Sequence, residues 1–482
     1  MFTKVLIANR GEIAIRIART CKRLGIRTVA VYSNADAYSP HVRACDEAYP
    51  IGGTTPRESY LVIEKVLDAA HHSGAEAIHP GYGFLSENAT FAEAVERSGK
   101  VFIGPSPEAI RLLGDKTAAR RLAIDLGVPV APGSDGAVRS LEEARGIATR
   151  IGYPLLIKAA AGGGGKGMRL VEDAHQLDEF FASAQREALS AFGDDRVFIE
   201  RYIVHPRHIE IQVLADKHGT VLYFPERECS IQRRHQKVIE ESPSPAVSTE
   251  LRQRMGQAAA RLIHAAGYTN AGTVEFLLDA DGSFYFMEVN TRLQVEHPVT
   301  EMIAGVDFVE QQLRIAASEP LQLRQDEVVQ PRGHAIECRI CAEDVFNDFL
   351  PDTGTIRQLI LSEGEGIRND CGIEEGSVVS VYYDPMVAKL IVWAPTRDEC
   401  IERTLNALDQ YVIAGVRTTI PFCHYVLCSE PFRSGMYSTR YVNQHWQFDQ
   451  PTFDNPPMLA AIAARVYDDY MQRRMPPVLT QH

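Results

Sequence analysis

Two acidic strands and the polar run behind them hold the densest chemistry in this 482-residue sequence. Thr273-Val-Glu275-Phe-Leu-Leu and Phe284-Tyr-Phe-Met-Glu288-Val-Asn290 are strongly apolar segments joined by Asp279-Ala-Asp-Gly-Ser283. A hairpin centred between Asp281 and Gly282 sets Glu275 opposite Glu288, and alternation puts Asn290 on the face of Glu288. Carboxylates side by side in apolar strands repel and are costly to desolvate. A divalent cation removes both penalties, and magnesium is usually held by a few carboxylates plus substrate phosphates. Ion pairing with a nearby Lys or Arg is the plainer alternative.

Asn290-Thr-Arg292-Leu-Gln294-Val-Glu296-His297-Pro298 follows directly. Arg292 offers a planar fork for an oxyanion, Gln294 can orient a small substrate, and Glu296 is placed to act as a general base. A third feature, Gly162 to Gly165 between Lys158 and Lys166, reads as a loop between two strands. Glycine there lets backbone N–H groups approach a polyphosphate, although a flexible turn needs the same residues. It is not a P-loop: Ala160 stands six before Lys166, and Gly167 follows it where Ser or Thr is required. The charged run from Glu226 to Pro243, with Gln232, His235 and Lys237, could be only a solvated strand. Cys338 and Cys341 form a C-x-x-C on an alternating strand, where residues three apart face opposite ways, which argues against a shared metal.

The elements that must position these groups are legible from periodicity. Lys4 to Ala8 reads as a buried strand, followed by a helix from Glu12 to Leu24, a stop at Gly25 and a strand from Thr28 to Tyr32, a parallel α/β unit. The pattern continues through helices at 60–73 and 89–98 and strands at 75–79 and 101–103. Ala8-Asn9-Arg10-Gly11-Glu12-Ile13 lacks G-x-G-x-x-G, so a dinucleotide site is not expected. The resulting division is an N-terminal α/β domain over 1–114, a linker helix and Pro-rich turn over 115–133, a small mobile lid over 134–203, a large α+β domain over 204–446 and a tail over 447–482. Net charge of −13 argues against nucleic acid and anionic membranes as partners. No run approaches the roughly 20 apolar residues of a membrane span, and the N-terminus lacks a signal-peptide pattern. Nine cysteines without secreted-domain spacing suit reduced thiols in a cytoplasmic protein.

GYGFLSEN (81–88), ERECSIQRRHQKVIEESPSP (226–245) and EVNTRLQVEHPVTE (288–301) resemble the ATP-grasp biotin carboxylases, and the likeness runs from about residue 2 to about 446. The resemblance implies an N-terminal α/β domain followed by an ATP-grasp fold of lid and large domain. It implies that Lys116 and Lys158 hold ATP phosphates while the loop around Gly164 and Gly165 closes over them. Glu200, Arg201, Tyr202 and Ile203 would form the hinge that reads adenine, with His208, Gln232 and His235 beside the nucleotide. Glu275, Glu288 and Asn290 would bind one or two Mg²⁺, with Mn²⁺ a workable substitute. Lys237, Arg292, Gln294 and Val295 would hold bicarbonate, Glu296 would deprotonate it, Arg339 would stabilise a biotin enolate, and Tyr82 would border the biotin pocket.

Cys341 stands where Asn is more usual in that family and would either tune the pocket beside Arg339 or make it oxidation-sensitive. Arg16, Arg19 and Arg23 lie on a helix face the family uses for dimerisation, and a homodimer is implied. No Met is followed by Lys, so biotin is expected on a separate carboxyl carrier protein, with a separate carboxyltransferase subunit and the tail as a docking helix. The carboxyl acceptor, whether acetyl-CoA, propionyl-CoA, pyruvate or another 2-oxo acid, is left open. Two other readings compete: another ATP-grasp ligase of the carbamoyl-phosphate type, against which RLQVEHPVTE argues, and a non-catalytic scaffold, which would leave gaps in the site.

Overall fold

The computed structural model describes residues 1–159, 168–192, 195–234 and 236–446. Gly164, Gly165, Lys166, His235 and the tail from 447 lie outside the described residues. Residues 1–442 form one compact unit, and a second begins at Asn443.

Strands β1 (Lys4–Ile7), β2 (Arg27–Tyr32), β3 (Glu47–Pro50), β4 (Ala77–His79) and β5 (Val101–Phe102) make a parallel sheet in the order β3-β2-β1-β4-β5. β3 was not foreseen: Glu47-Ala-Tyr-Pro50 is half-exposed at the sheet edge and carries no apolar run. Leu6, Val29 and Ile78 face one core with Phe91 and Val95. Val5 and Ile7 face another, shared with Ile13, Phe224, Leu293 and Phe308. That second core joins the parallel sheet to the large sheet described below and brings the loop after β4 against residues 291–292. Asn9 Nδ2 donates to the carbonyls of Pro80 and Tyr82 at 2.7 and 2.8 Å. A Cβ on Gly81, at φ +64°, would stand 2.9 Å from that nitrogen, so the turn that presents Tyr82 requires glycine.

A small antiparallel sheet follows, β6 (Leu155–Ala159), β7 (Met168–Val171) and β8 (Val197–Arg201), in the order β7-β6-β8. Leu155, Ile157 and Ile199 bury one face under the helices Leu141–Ile151 and Ala174–Phe192, through Ile147 and Phe181. Alternation leaves Lys158 on the open face.

The large sheet contains β9 (Arg207–Ala215), β10 (Val221–Tyr223), β11 (Arg227–Arg233), β12 (Gln236–Ser242), β13 (Asn270–Leu278), β14 (Phe284–Asn290), β15 (His334–Cys341) and the strands Ile367–Cys371 and Met386–Ala394. Its order is β14-β13-β9-β11-β12-β15, then 386–394 and 367–371, with β10 beside β9. Ile209, Ile211, Val274 and Phe276 pack on Met255 and Leu262 of the helix Thr249–Ala265. The opposite face of the same strands carries His208, Glu210, Thr273 and Glu275.

Two one-residue bulges decide what else reaches that face. The β13–β14 hairpin pairs Leu278 with Phe284 and Phe276 with Phe286, a register that alone would set Glu275 against Met287. An extra residue, Met287, shifts the ladder so that Glu275 meets Glu288. Phe284, Phe286 and Val289 stay in the core, and Glu288 turns to the polar side. The expected pairing is thus reached by a different route, since strict alternation would have placed Glu288 with the two phenylalanines. On β12, Val238 is the extra residue between Ile239, opposite Ile231, and Lys237, opposite Gln232. The run from Glu226 is a central strand pair with Arg227, Glu228 and Ser230 buried, not a solvated one.

Arg16 pairs with Glu301 and Asp307 at 2.8 and 2.9 Å, Arg19 with Asp370 at 2.5 Å, and Arg23 with Asp307 and Glu310 at 2.8 and 2.7 Å. The three positive charges on this helix face are therefore matched within the chain.

On the far side of β12 and β15, Glu241 receives His334 Nε2 at 2.6 Å, Arg397 Nε at 2.7 Å and the Tyr437 hydroxyl. Burial alone would raise this carboxyl, but His334 and Arg397 hold it down at about 2. A folded value below the unfolded one stabilises above the unfolded value and loses that effect as pH falls toward 2. Glu241→Gln is expected to lower the unfolding free energy at pH 7 by about 3 kcal/mol. In urea titrations the gap from wild type should narrow below pH ~4.5; a gap independent of pH would contradict the assignment.

Candidate active site

The polar face of the large sheet converges on one ammonium. Lys237 Nζ donates to Glu275 Oε1 at 3.2 Å, to Glu296 Oε1 at 2.8 Å and to Glu210 Oε1 in a shorter contact. Glu210 and Glu275 are cross-strand neighbours on β9 and β13. Lys237 arrives from β12 through the bulge at Val238, and Glu296 precedes the helix His297–Ala304. All four groups are buried or nearly so. Burial works against the Lys237 ammonium, yet Glu210, Glu275 and Glu296 raise its pKa well above the ordinary lysine range. Burial would lift the Glu275 carboxyl, and Lys237 with His208 holds it well below the usual range instead.

His208 Nε2 lies 3.0 Å from Glu275 and 3.2 Å from Glu210, with Nδ1 2.9 Å from the Gln232 amide. Burial disfavours its charge, but the Glu275 carboxylate brings its pKa up to about 9, so it is an imidazolium at neutral pH. Glu210 is itself held by Arg227, whose Nε and Nη2 reach Oε2 at 3.1 Å. Sequence reasoning missed Glu210 and Arg227. The available signal was the strict alternation His208-Ile-Glu210-Ile-Gln212, which marks a polar face on a strand whose other face is core.

Glu296 has a second cation. Arg339 Nη2 contacts Glu296 Oε2 at 2.8 Å, and its Nε reaches Glu240 Oε1 at 2.6 Å. Burial and the Glu210 charge push the Glu296 carboxyl up, while Lys237 and Arg339 more than offset them, leaving it lowered. An ionised, enclosed carboxylate flanked by two cations can take a proton from a small acid and leave the cations to hold the resulting anion. Cys341 is buried beside Arg339 on β15, and burial holds its thiol well above the ordinary range. It is a neutral thiol there.

The polar run 290–297 closes the site. Asn290 Nδ2 and Gln294 Nε2 donate to Glu275 Oε1 at 2.7 and 3.0 Å. Arg292 Nη1 meets Gln294 Oε1 at 2.7 Å, Nη2 meets Asn290 Oδ1 at 3.1 Å, and Nε meets Glu87 Oε2 at 2.8 Å. Glu87, which was not foreseen, comes from the loop after β4 and also caps the Thr291 N–H. The fully buried Lys389 donates to the Val295 carbonyl at 2.8 Å, lies 3.4 Å from Glu12, and sits 5.7 Å from the Tyr82 ring. A lysine inside Met386-Val-Ala-Lys-Leu-Ile was the clue to it, because a buried ammonium needs a partner.

Glu288 Oε2 is 2.7 Å from Lys116, and Lys158 Nζ is 2.6 Å from Glu200. Arg201 N and Tyr202 N donate to the carbonyls of Pro132 and Pro154 at 2.7 and 2.9 Å, and Ile203 is buried. These residues thus lie where β8 passes into the large sheet. Glu275 and Glu288 supply hard oxygen donors on one face. Asn290 adds a third once its amide is turned over, since its nitrogen now faces Glu275. That set fits a magnesium ion, and Lys116 currently supplies the positive charge at Glu288.

Residues 1–110 match the family model described as biotin carboxylase, N-terminal domain, and 337–444 match the biotin carboxylase C-terminal domain. Residues 115–324 match the carbamoyl-phosphate synthase L chain ATP binding domain. A biotin carboxylase from Halalkalibacterium halodurans is 53% identical over 445 residues, covering 92% of this chain and 98% of that one. The mitochondrial methylcrotonoyl-CoA carboxylase subunit alpha of Dictyostelium discoideum is 51% identical over 92% of this chain, which spans 63% of its length. In structure, the biotin carboxylase domain dimer of the Hydrogenobacter thermophilus 2-oxoglutarate carboxylase, solved with MgADP, ADP and bicarbonate, superposes with a TM-score of 0.86. It is 47% identical and covers 93% of this chain and 100% of that one. Among the described residues no helix is long and apolar enough to cross a membrane. With three family models matched in order and about half of all residues shared with full-length relatives, the chain belongs to the biotin carboxylase family of ATP-dependent carboxylase ligases.

Proposed function

We propose that the chain uses ATP and bicarbonate to carboxylate biotin carried on a separate carboxyl carrier protein, the first half-reaction of an acyl-CoA or 2-oxo acid carboxylase. The carrying observation is the buried Lys237–Glu296–Arg339 arrangement, a base held between two cations at 2.8 Å each. Glu296 takes the bicarbonate proton as a bicarbonate oxygen bonds to the γ-phosphorus and the bond to the β–γ bridging oxygen breaks, giving carboxyphosphate and ADP. Lys237, Arg292, Gln294 and the Val295 backbone hold the bicarbonate, and Lys389 fixes the Val295 peptide through its carbonyl. Carboxyphosphate decomposes to CO₂ and phosphate; the phosphate takes the N1′ proton of biotin, and Arg339 steadies the enolate that attacks CO₂. Tyr82 borders the biotin.

Lys116 and Lys158 bind ATP phosphates, the loop with Gly164 and Gly165 covers them, and Glu200 to Ile203, His208, Gln232 and His235 line the nucleotide. Glu275, Glu288 and Asn290 hold Mg²⁺, or Mn²⁺ in its place, which neutralises charge gathering on the phosphoryl oxygens. The roles at 116–203 divide the chain into an N-terminal domain to 114, a linker to 133, a closing lid to 203 and a large domain to 446. A homodimer through the helix Gly11–Arg23, a carboxyltransferase subunit as the next partner and a cytoplasmic location complete the reading.

ATP hydrolysis by the purified chain with Mg²⁺ and bicarbonate, with and without free biotin, tests it. Turnover that needs bicarbonate and rises with biotin is the expected result. Bicarbonate-dependent turnover indifferent to biotin would assign another acyl-phosphate ligase activity.

A further inference from the structure

Arg339 meets more carboxylates than one guanidinium can balance. Glu296 sits at 2.8 Å, and Glu240 Oε1 takes Nε at 2.6 Å and Nη2 at 2.5 Å. Glu337, two residues before Arg339 on β15 and on its face, lies directly opposite Glu240 in the β12–β15 ladder. Residues so paired have Cβ atoms about 4.5–5.5 Å apart, close enough for their carboxyls to meet. Glu240 and Glu337 are both fully buried. Among the described residues, Glu240 Oε2 and both oxygens of Glu337 have no hydrogen-bond partner. Three orphaned carboxyl oxygens on two adjacent strands is a pattern that one O–H would ease, by joining two of them.

The surroundings cannot neutralise two anions there. The helix His297–Ala304 covers this face with Val299 and Ile303, against Ala335 and Ile391. Lys389, from the neighbouring strand, is committed to the Val295 carbonyl and Glu12. Lys237 is committed to Glu210, Glu275 and Glu296. His297, at the start of the covering helix, is kept neutral by burial and by the charge of Lys389. Glu296 adds a further negative charge.

We infer that Glu240 and Glu337 share one proton, so that Arg339 faces a single negative charge from the pair instead of two and is left better able to attract an oxyanion. The inference rests on the proposed role of Arg339 beside the biotin enolate. Burial pushes both carboxyls up, against the pull of Arg339 on Glu240 and of Lys389 on Glu337. Glu337 is on this account a positioning residue that sets the charge of Arg339 without touching substrate. Losing the shared proton as pH rises would add a second anion beside Arg339 and weaken its hold on the enolate.

Infrared spectroscopy of the whole chain reads the proton directly, since the C=O stretch of a protonated acid stands apart from carboxylate bands and moves in D₂O. Glu337→Gln, which mimics the protonated acid, should remove a band present in the wild type at neutral pH. Glu337→Ala leaves the net charge of the pair at one but takes away the O–H offered to Glu240 Oε2, so that this buried carboxylate must draw harder on Arg339. Biotin-dependent kcat should fall by on the order of tenfold, the scale of one pKa unit of charge interaction. Glu337→Gln should recover most of it and move the alkaline limb of the pH profile upward. The wild type supplies a second reading that needs no variant: bleaching of the acid band at high pH and loss of kcat/KM for biotin should share one midpoint. An acid band unchanged in Glu337→Gln, separate midpoints, or a Glu337→Gln enzyme as slow as the alanine variant would overturn the inference. Wild-type turnover that ignores biotin would instead overturn the role of Arg339, with the band still reporting the proton.

Discussion

Replacing Glu296 with Gln is expected to cut bicarbonate-dependent, biotin-stimulated turnover by about 10² to 10⁴, the usual worth of a positioned general base. ATP affinity should stay within roughly threefold, because Glu296 touches Lys237 and Arg339 and neither Lys116 nor Lys158. Glutamine keeps the volume of the side chain and one acceptor oxygen, so the variant removes proton-accepting capacity more than shape. The sign of the pH dependence follows from the cluster. Burial and Glu210 would raise the Glu296 carboxyl, but Lys237 and Arg339 bring it below its ordinary value. The base form is therefore present through neutral pH, and its acid limb in kcat/KM for bicarbonate lies below the usual carboxylate range near pH 4.3. Stopped assays of ADP release with and without biotin, together with equilibrium ATP binding, separate the two effects. Unchanged turnover in Glu296→Gln would remove Glu296 as the base.

Much of this site is legible in the sequence because strand alternation is a strict rule. Glu275 and Glu288 could be placed opposite one another by counting from the Asp281-Gly282 turn. The count reached the right pair for an incomplete reason, as the turn centres on Asp281 and Met287 supplies the missing step. A bulge has no propensity signature of its own. It shows only as a break in apolar spacing, here Phe284, Phe286, Val289, and a reader expecting period two passes over it. Lys237 reaches the site by the same device at Val238.

Contacts between residues distant in sequence were less legible. Glu87 meets Arg292 across 205 positions, and Arg339 meets Glu240 across 99. No local pattern joins either pair; only the resemblance to a family could mark Arg339, and nothing marked its partner Glu240. The N-terminal sheet shows the same limit in another form. Its buried strands announce themselves by apolar runs, whereas β3 at the edge depends on β2 for its existence.

Arg227 carries the largest expected effect on stability. It is completely buried, and its guanidinium joins four elements: Glu210 and Gln212 on β9, Thr273 on β13, and Thr300 on the helix His297–Ala304, all from its own place on β11. Burial opposes its charge, and Glu210 more than offsets that cost, so the pair stands only while both members are present. Arg227→Met should lower the unfolding free energy by about 3–5 kcal/mol, the loss found when one partner of a buried ion pair is removed. Arg227→Lys keeps the charge but not the planar fork, and should fall between the two, since one ammonium cannot reach Gln212, Thr273 and Thr300 together. Urea unfolding followed by tyrosine and tryptophan fluorescence gives the order directly. A wild-type midpoint in Arg227→Met would mean that Glu210 is carried by Lys237 and His208 alone. A deep loss would mean that the charge balance under Lys237 is built from beneath, by a residue that touches no substrate, and that the base at Glu296 depends on it through Glu210.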